Sequence, residues 1–497
     1  MLSFKTLRRI IALISFWAIT LMFLDFTGTM HAWFSWLAKI QLLPAIYAAN
    51  IAVLAVLFLL TLMFGRIYCS IICPLGIMQD SVAWLHRKIG KKHYTYSKEK
   101  KILRTVMFIL FLAGCITAGM STVVSLLEPY SIYGRTVSTL LQPLYIFANN
   151  GLAAIAERMD SYMFYSREVY ATSAVLIAAV AIHIIIICVL AWRGGRTYCN
   201  TICPVGTILG FISPFSVIHV KFDKDKCKDC GKCVKSCKAS CIDLKNHRVD
   251  ESRCVMCGDC IEECGFDAIS LGYHKINKKG SNTADSSEGM SRRAFLVGTA
   301  LATSTAALAE AKIKVDGGLA KIEGKQLPKR NTPITPPGSL SADNLARNCT
   351  ACQLCINECP NNVLRPSTDL ETFMQPVVGF DHGYCRIECN RCSEVCPTSA
   401  IRPISKEART AIQVGHAVVI KKNCLAAQGE AKCNNCAKHC PVEAIEMVAV
   451  NPDDPESPKM PAINETACIG CGACENLCPV RPFSAIYVEG HERHQDV

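Results

Sequence analysis

Apolar positions are not spread evenly along this chain. They gather in four stretches within the first 200 residues, about Ile10–Phe26, Pro44–Phe64, Ile102–Leu127 and Tyr170–Trp192. Each approaches the roughly 20 helical residues that cross a bilayer core. Basic residues flank these stretches unequally. Lys5, Arg8 and Arg9 precede the first, and Arg66, Arg87, Lys88, Lys91, Lys92, Lys98, Lys100 and Lys101 follow the second. The opposite loops carry only Lys39 in one, and Arg135, Arg158 and Arg167 in the other. Cytoplasmic loops hold the excess of Lys and Arg, so both ends of a four-helix bundle are expected on the cytoplasmic side. Beyond residue 220 the long apolar runs stop and cysteines dominate.

Composition sharpens the picture. The 497 residues are 51% hydrophobic and only 19% charged, with a formal charge of +12 and a mean hydropathy of +0.24. This excludes disordered, collagen-like and wholly soluble readings. The positive excess follows from topology, so no nucleic-acid partner is called for. Thirty-one cysteines in a chain too long for a disulfide-stapled miniprotein point to metals.

The bundle contains a repeat. Gly65-Arg66-Ile67-Tyr68-Cys69-Ser70-Ile71-Ile72-Cys73-Pro74-Leu75-Gly76 returns as Gly195-Arg196-Thr197-Tyr198-Cys199-Asn200-Thr201-Ile202-Cys203-Pro204-Val205-Gly206. Two duplicated helix pairs are the economical explanation. Both loops are expected on the cytoplasmic side, so Cys69, Cys73, Cys199 and Cys203 are candidates for a shared cluster or for redox thiols. Two structural turns, with a packed Cys and a helix-starting Pro, would look the same.

The soluble sets are more specific. Cys227, Cys230, Cys233 and Cys237, then Cys254, Cys257, Cys260 and Cys264, follow the C-x2-C-x2-C-x3-C spacing that holds [4Fe–4S] clusters, with the fourth thiolate serving the partner cluster. The expected ligand sets are Cys227, Cys230, Cys233 and Cys264, and Cys254, Cys257, Cys260 and Cys237. Lys238 and Gly265 stand where Pro usually follows, and Cys241 is an alternative fourth ligand. Further on, Cys349, Cys352, Cys355 and Cys359, and Cys468, Cys471, Cys474 and Cys478, have the regular spacing. Cys385, Cys389, Cys392 and Cys396, and Cys424, Cys433, Cys436 and Cys440, are looser at the first ligand. All four sets close with Cys-Pro, and three run on into Ala-Ile (Ala400-Ile401, Ala444-Ile445, Ala485-Ile486), which suits a short return strand. Four-cysteine zinc sites are the competing chemistry. Six [4Fe–4S] clusters are therefore expected, with the repeated loops as candidates for a seventh. Cys115 and Cys188 fall inside apolar spans and read as packed thiols.

Between the cysteine-rich parts lies a polar tether at 275–290, then Ser291-Arg292-Arg293-Ala294-Phe295-Leu296 and a mildly apolar run ending in small residues at 307–311. A basic start, weak apolar core and small-residue end describe a signal sequence, here of twin-arginine type; a retained fifth helix is the alternative. The expected organisation is a membrane bundle at 1–220, a two-cluster domain at 221–274, a linker at 275–290, the signal or fifth helix at 291–311, a second linker at 312–344 and a four-cluster domain at 345–490. The fold class is a polytopic α-helical membrane bundle plus two ferredoxin-like α+β polycluster domains.

With its paired C-x3-C-P loops and following cluster segment, the N-terminal part resembles the NapH-type membrane subunit of periplasmic nitrate reductase systems. The C-terminal part, through its twin-arginine segment, its four cluster sets and the stretch Asn423-Cys424-Leu425-Ala426-Ala427-Gln428-Gly429, looks like the NapG-type and related MauM-type periplasmic ferredoxins. The resemblance implies a fused quinol dehydrogenase component, an oxidoreductase in a bacterial cytoplasmic membrane with its four-cluster domain in the periplasm. Electrons would pass from the quinol pool, menaquinol by expectation, to a periplasmic reductase or carrier. His183 and Asp25 are the candidate quinol proton acceptors, since ionisable groups in spans mark function. The alternatives are an accessory role in metalloenzyme maturation or redox regulation, and a wholly cytoplasmic arrangement fed by a soluble donor. What would carry electrons across about 30 Å of hydrocarbon is not visible in the sequence.

Overall fold

In the computed structural model the first apolar stretch becomes a 21-residue helix, Phe4–Leu24, capped by the Ser3 hydroxyl accepting the Thr6 amide. The structure describes residues 3–90, 93–117, 121–161, 163–168, 173–273, 324–454 and 457–496. The tether and the twin-arginine segment at 291–311 lie outside the described residues. Phe4–Leu24 and Ala174–Gly194 are long and apolar enough to cross a membrane. The other two expected spans are interrupted. Pro44–Phe64 divides into helices Leu42–Tyr47 and Ile51–Phe64, because Ala49 takes a positive φ of 50° and Asn50 caps the second helix by accepting the Val53 amide. The third stretch divides into Lys101–Ile116 and Ser121–Leu127. Cys115 is exposed on the outer face of its helix rather than packed inside.

The Phe4–Leu24 helix is roughly 30 Å long, and a different cysteine-rich unit meets each end. At its start, Ser3 and Lys5 bind Glu262 at 2.6 and 2.7 Å. At its end, the Phe23 carbonyl accepts the Asn357 side chain at 2.8 Å. Ala174–Gly194 repeats the arrangement. Leu176 and Val180 pack with Ala351 and Met374 at one end, and past the other the Arg196 amide donates to the Lys238 carbonyl at 2.9 Å. The two cluster-type units therefore cap opposite ends of one helical unit.

Both units are built from two-stranded antiparallel ribbons and short helices. Ile218–Phe222 pairs with Ile269–Tyr273 in the first. In the second, Ile412–Val419 pairs with Ile486–Asp496 and Ile445–Ala449 with Lys459–Ile463. Two of the three Ala-Ile pairs begin strands, at Ile445 and Ile486; Ile401 lies in an irregular stretch. Two-stranded ribbons are marginal alone, so these units depend on what their cysteines hold.

One ion network locks the first unit to the helices. The Asp80 carboxylate, 12% exposed, meets Arg196 at 2.7 Å, Lys238 at 3.4 Å and Arg8 at 3.7 Å. Burial opposes its charge, but Arg196 and Lys238 outweigh that and hold the carboxyl well below the ordinary carboxylate range. Asp80→Asn would leave buried cations uncompensated, a loss of about 3–5 kcal/mol. Limited proteolysis and thermal unfolding of the variant should show the 221–273 unit released; unchanged resistance would show that the network does not dock it.

Candidate functional site

The cluster turns are shaped by alternating left-handed residues. Asp229 and Gly231, Met256 and Gly258, Ala351 and Gln353, and Gly470 and Gly472 all have positive φ between 47° and 78°. Such alternation turns successive amides toward one point, a nest for an anion. It occurs in the four regularly spaced sets and is absent, among the described residues, from the turns at Cys389 and Cys433.

The fourth thiol of each set crosses to its neighbour. Cys233 lies within charge–charge range of Cys230, Cys227 and Cys264. Cys260 faces Cys257, Cys254 and Cys237. In the larger unit Cys355 faces Cys349, Cys352 and Cys396, and Cys392 faces Cys385, Cys389 and Cys359. Cavities show the same exchange. Cys359, Cys385, Cys389 and Cys392 line one, Cys440, Cys468, Cys471 and Cys474 a second, and Cys424, Cys433, Cys436 and Cys478 a third. No described trio of cysteines converges within 4.8 Å, whereas tetrahedral zinc with Zn–S of about 2.3 Å brings sulfurs to about 3.8 Å. The wider spacing, the amide nests and the all-sulfur donor sets fit [4Fe–4S] clusters.

Burial supports this chemically. It pushes the Cys352 and Cys471 thiols up to about 12, so bare thiolates would be disfavoured there and iron would supply the balancing charge. The protein adds a few donors of its own. The fully buried Arg409 donates to Cys385 Sγ at 3.4 Å, and the Ala444 amide donates to Cys440 Sγ at 3.2 Å.

Cys241 is the surplus thiol. It lies 3.6 Å from Cys237 and beside Cys254. Hydrogen bonding from Cys241 draws the Cys237 thiol down against the effect of burial. Cys237 lies within charge–charge range of Cys257 and Cys260, and Cys241 of Cys254, so both stand next to the second set. Lys238, in the position of the usual Pro, bridges Asp80 and Asp259 at 3.4 and 3.1 Å.

Two features of this site escaped sequence reading. One is the crossed bracing of the repeated loops. Arg66 donates to the Cys199 carbonyl at 3.0 Å, and Arg196 to the Cys69 carbonyl at 2.6 Å. A Cβ at Gly76 or Gly206 would meet those same carbonyls at 2.3 or 2.0 Å, which explains the glycine in each copy. The other is a cleft of about 1320 Å³, including its open mouth, between the helical unit and the larger cysteine-rich unit. Ser138, Thr139, Gln142, Ile146, Leu176, Arg167, Glu168, Gln353 and Asn357 help line it. A π-helical turn at Val137–Leu141 forms one wall, a distortion common at functional sites. Neither proposed proton acceptor lines the cleft. Asp25 turns its oxygens to Thr27 and Met30 at 2.7–2.8 Å, and the half-buried His183 faces Arg135.

Cysteine substitution tests the ligand exchange. Cys237→Ser should cost about four irons per chain, while Cys241→Ser should keep the full count with a shifted cluster spectrum. Equal iron loss in both variants would make Cys241 a ligand.

Comparison with known proteins agrees with this geometry. A family described as 4Fe–4S binding domain matches residues 48–92 and 176–223, a 4Fe–4S dicluster domain matches 348–425 and 431–481, and a further 4Fe–4S binding domain matches 247–270. The ferredoxin-type protein NapF of Escherichia coli K12 is 30% identical over 182 residues, which is 36% of this chain and the whole of NapF. The methylamine utilization ferredoxin-type protein MauN of Paracoccus denitrificans is 24% identical over 39% of this chain, and NapH of Haemophilus influenzae 26% over 35%. The chain spans about half of each, 56% of MauN and 47% of NapH. The crossed thiol sets, their amide nests and these matches together place the chain in the family of ferredoxin-type iron–sulfur electron-transfer proteins that includes NapF.

Proposed function

We propose that this protein is a membrane-bound electron carrier that oxidises a quinol at the cleft and passes the electrons to a periplasmic acceptor. The observation that carries the reading is the cleft itself, which joins a helical wall of mixed polar and apolar residues to a unit full of cluster-type cysteine sets. Exposed apolar side chains support a lipid environment: Ile51 is 79% exposed, Ile102 73% and Phe147 78%, and they belong to different helices, more apolar surface than a soluble monomer tolerates. Four membrane-crossing segments, two of them interrupted, suit this surface, with the 221–273 unit on the cytoplasmic side and the 324–496 unit opposite.

Oxidising a quinol releases two electrons and two protons. Iron–sulfur clusters, held by the six cysteine sets, accept electrons singly. Ser138, Thr139 and Gln142 offer polar contacts for the quinol oxygens, while Ile146 and Leu176 cover its ring. This reading moves proton acceptance from Asp25 and His183 to Glu168, which lines the cleft. Asn357 ties the two walls together by donating to the Phe23 carbonyl and to Ser138 Oγ at 2.6 Å.

Anaerobically purified protein should bleach its cluster absorbance when a menaquinol analogue is added. Gln142→Leu and Glu168→Gln should slow that bleaching by about tenfold or more, the order of a lost acid–base or hydrogen-bonding contribution, with iron content unchanged. Full iron with no response to quinol would overturn the reading and favour the accessory role. In oriented vesicles, protease should reach the 324–496 unit only from the face opposite the 221–273 unit; cleavage of both from one face would refute the topology.

A further inference from the structure

Electrons that enter the larger unit at the cleft must leave it elsewhere, and its four cysteine sets stand in a definite order. The cleft touches the first set, since Gln353, Ile356 and Asn357 of its wall lie between Cys352 and Cys359. That set also meets the helical unit, where Tyr130 faces Cys352. It exchanges Cys359 and Cys396 with the second set. The second set meets the Cys468 set: the Cys385 amide donates to the Cys471 carbonyl at 2.9 Å, and Arg409 lies within charge–charge range of Cys392 and Cys471. The Cys468 set in turn exchanges Cys440 and Cys478 with the Cys424 set. The Cys424 set therefore stands at the far end of the series.

Its surroundings differ in charge from those of the other three. Lys421, Lys422, Lys432 and Lys438 are exposed within the segment 421–440, against Glu430 alone, and Arg481 is exposed just past Cys478. Segment 385–397 balances Arg386 and Arg391 with Glu388 and Glu394, and segments 349–360 and 468–478 each hold a single charged residue, Glu358 and Glu475. A surface that serves only solubility mixes both signs. The irregular spacing of this set helps to build the patch. Between Cys424 and Cys433 the chain folds back on itself, the Gln428 and Gly429 amides donating to the Cys424 and Ala426 carbonyls at 3.0 and 3.1 Å. The Gln428 side chain donates to the Lys422 carbonyl and braces the lysine pair. Cys424, Cys433 and Cys436 are half-buried, whereas Cys468, Cys471 and Cys474 are buried.

Two cations also attend the fourth thiol of this set. Lys325 and Arg481 both donate to the Cys478 carbonyl, at 3.1 and 2.7 Å. Positive charge and hydrogen bonds beside a cluster favour its reduced form, so the far set is also where an electron would come to rest. Exposed lysines attract anionic lipid as well as acidic protein. Here the helical unit, which would lie in the membrane, meets the opposite end of the series, so an acidic protein is the better fit.

We propose that the Cys424, Cys433, Cys436 and Cys478 set is the electron exit of the larger unit, and that Lys421, Lys422, Lys432, Lys438 and Arg481 dock an acidic electron-acceptor protein over it. The inference rests on the reading of the chain as a membrane electron carrier. In the transfer the cluster of this set is oxidised by one electron and the acceptor's metal centre is reduced by the same electron. No bond forms or breaks and no proton moves.

Cytochrome c, which is basic, and its succinylated form, whose lysines have become carboxylates, are probes of one fold and opposite charge. The full chain, held in neutral-lipid nanodiscs and reduced with dithionite, should reduce the succinylated form at least about tenfold faster at low salt. The gap should close as salt rises, and calorimetry should show the succinylated form bound at least about tenfold more tightly. The Lys421→Glu/Lys422→Glu/Lys432→Glu/Lys438→Glu variant should reverse both preferences with iron content unchanged. Lys421→Gln/Lys422→Gln, a milder change, should weaken both by about threefold, which keeps the test open if the first variant fails to fold. Arg402→Glu/Lys406→Glu, exposed elsewhere on the unit, should alter neither. Preferences that survive the lysine substitutions would overturn the proposal. So would lysine-dependent binding to phosphatidylglycerol vesicles with no preference between the two cytochromes. Menaquinol should bleach the lysine variants as fast as the wild type, so a wild type that ignores quinol counts against the quinol reading and leaves the exit surface standing.

Discussion

One largely enclosed carboxylate sets the geometry at the end of the helical unit that meets the smaller cysteine-rich unit. Asp80 gathers Arg8 from the first helix, Arg196 from the second repeated loop and Lys238 from the two-cluster unit. Removing ions from water is expensive, and a buried pair is tolerated only when its partners are precisely placed. The network therefore permits few relative positions of three distant segments. Arg196 carries the constraint inward, because the same guanidinium that binds Asp80 also holds the Cys69 carbonyl. The loss of the usual proline after Cys237 then has a physical reason: Lys238 supplies the cation that docks its unit.

A second constraint acts through sulfur. The cysteine sets sit in units whose sheets have only two strands, and burial makes their bare thiolates unfavourable, as the shifts at Cys352 and Cys471 show. Iron resolves both difficulties, since cluster bonds tie remote turns together and supply positive charge where few side chains do. Binding energy of that kind is folding energy. The exchange of Cys359 and Cys396 between neighbouring sets makes each cluster a crosslink, so neither half of a pair is complete without the other.

Much of this was legible in the sequence because it is local. Ligand spacing within each turn, the duplicated loop and the apolar stretches are all short-range patterns. What the sequence hid is long-range or steric. The interruption at Ala49 and Asn50 carried one local signal, a helix-capping Asn inside an otherwise apolar stretch, which the length of the stretch outweighed. The crossed contacts of Arg66 and Arg196 join residues more than 120 positions apart; the repeated Arg marked them as special without saying whom they bind. The cleft arises only where the 137–146 segment meets Gln353 and Asn357. Asp25 and His183 stood out as lone ionisable groups in apolar runs, yet local turn contacts and Arg135 occupy their surroundings.

The duplicated loops have also diverged where a pseudo-symmetric platform must carry a unit that is not symmetric. Position 79 is Gln in the first copy and its counterpart in the second is Leu209; position 80 is Asp and its counterpart is Gly210. A Cβ at Gly210 would meet the Arg104 guanidinium at 2.0 Å and the Ser252 carbonyl at 2.7 Å. Where the first copy presents a carboxylate to Lys238, the second clears space for Arg104 and for the turn that carries Ser252. The residues kept identical are mostly those around the thiols: the crossing Arg, the inward Tyr, both cysteines, the Ile before the second of them, the helix-starting Pro and the close-packed Gly, together with the positive-φ Gly that opens each copy. Divergence at the docking surface with identity around the sulfurs separates what both halves must share, the shape of the loop, from what only one half presents to the unit it carries.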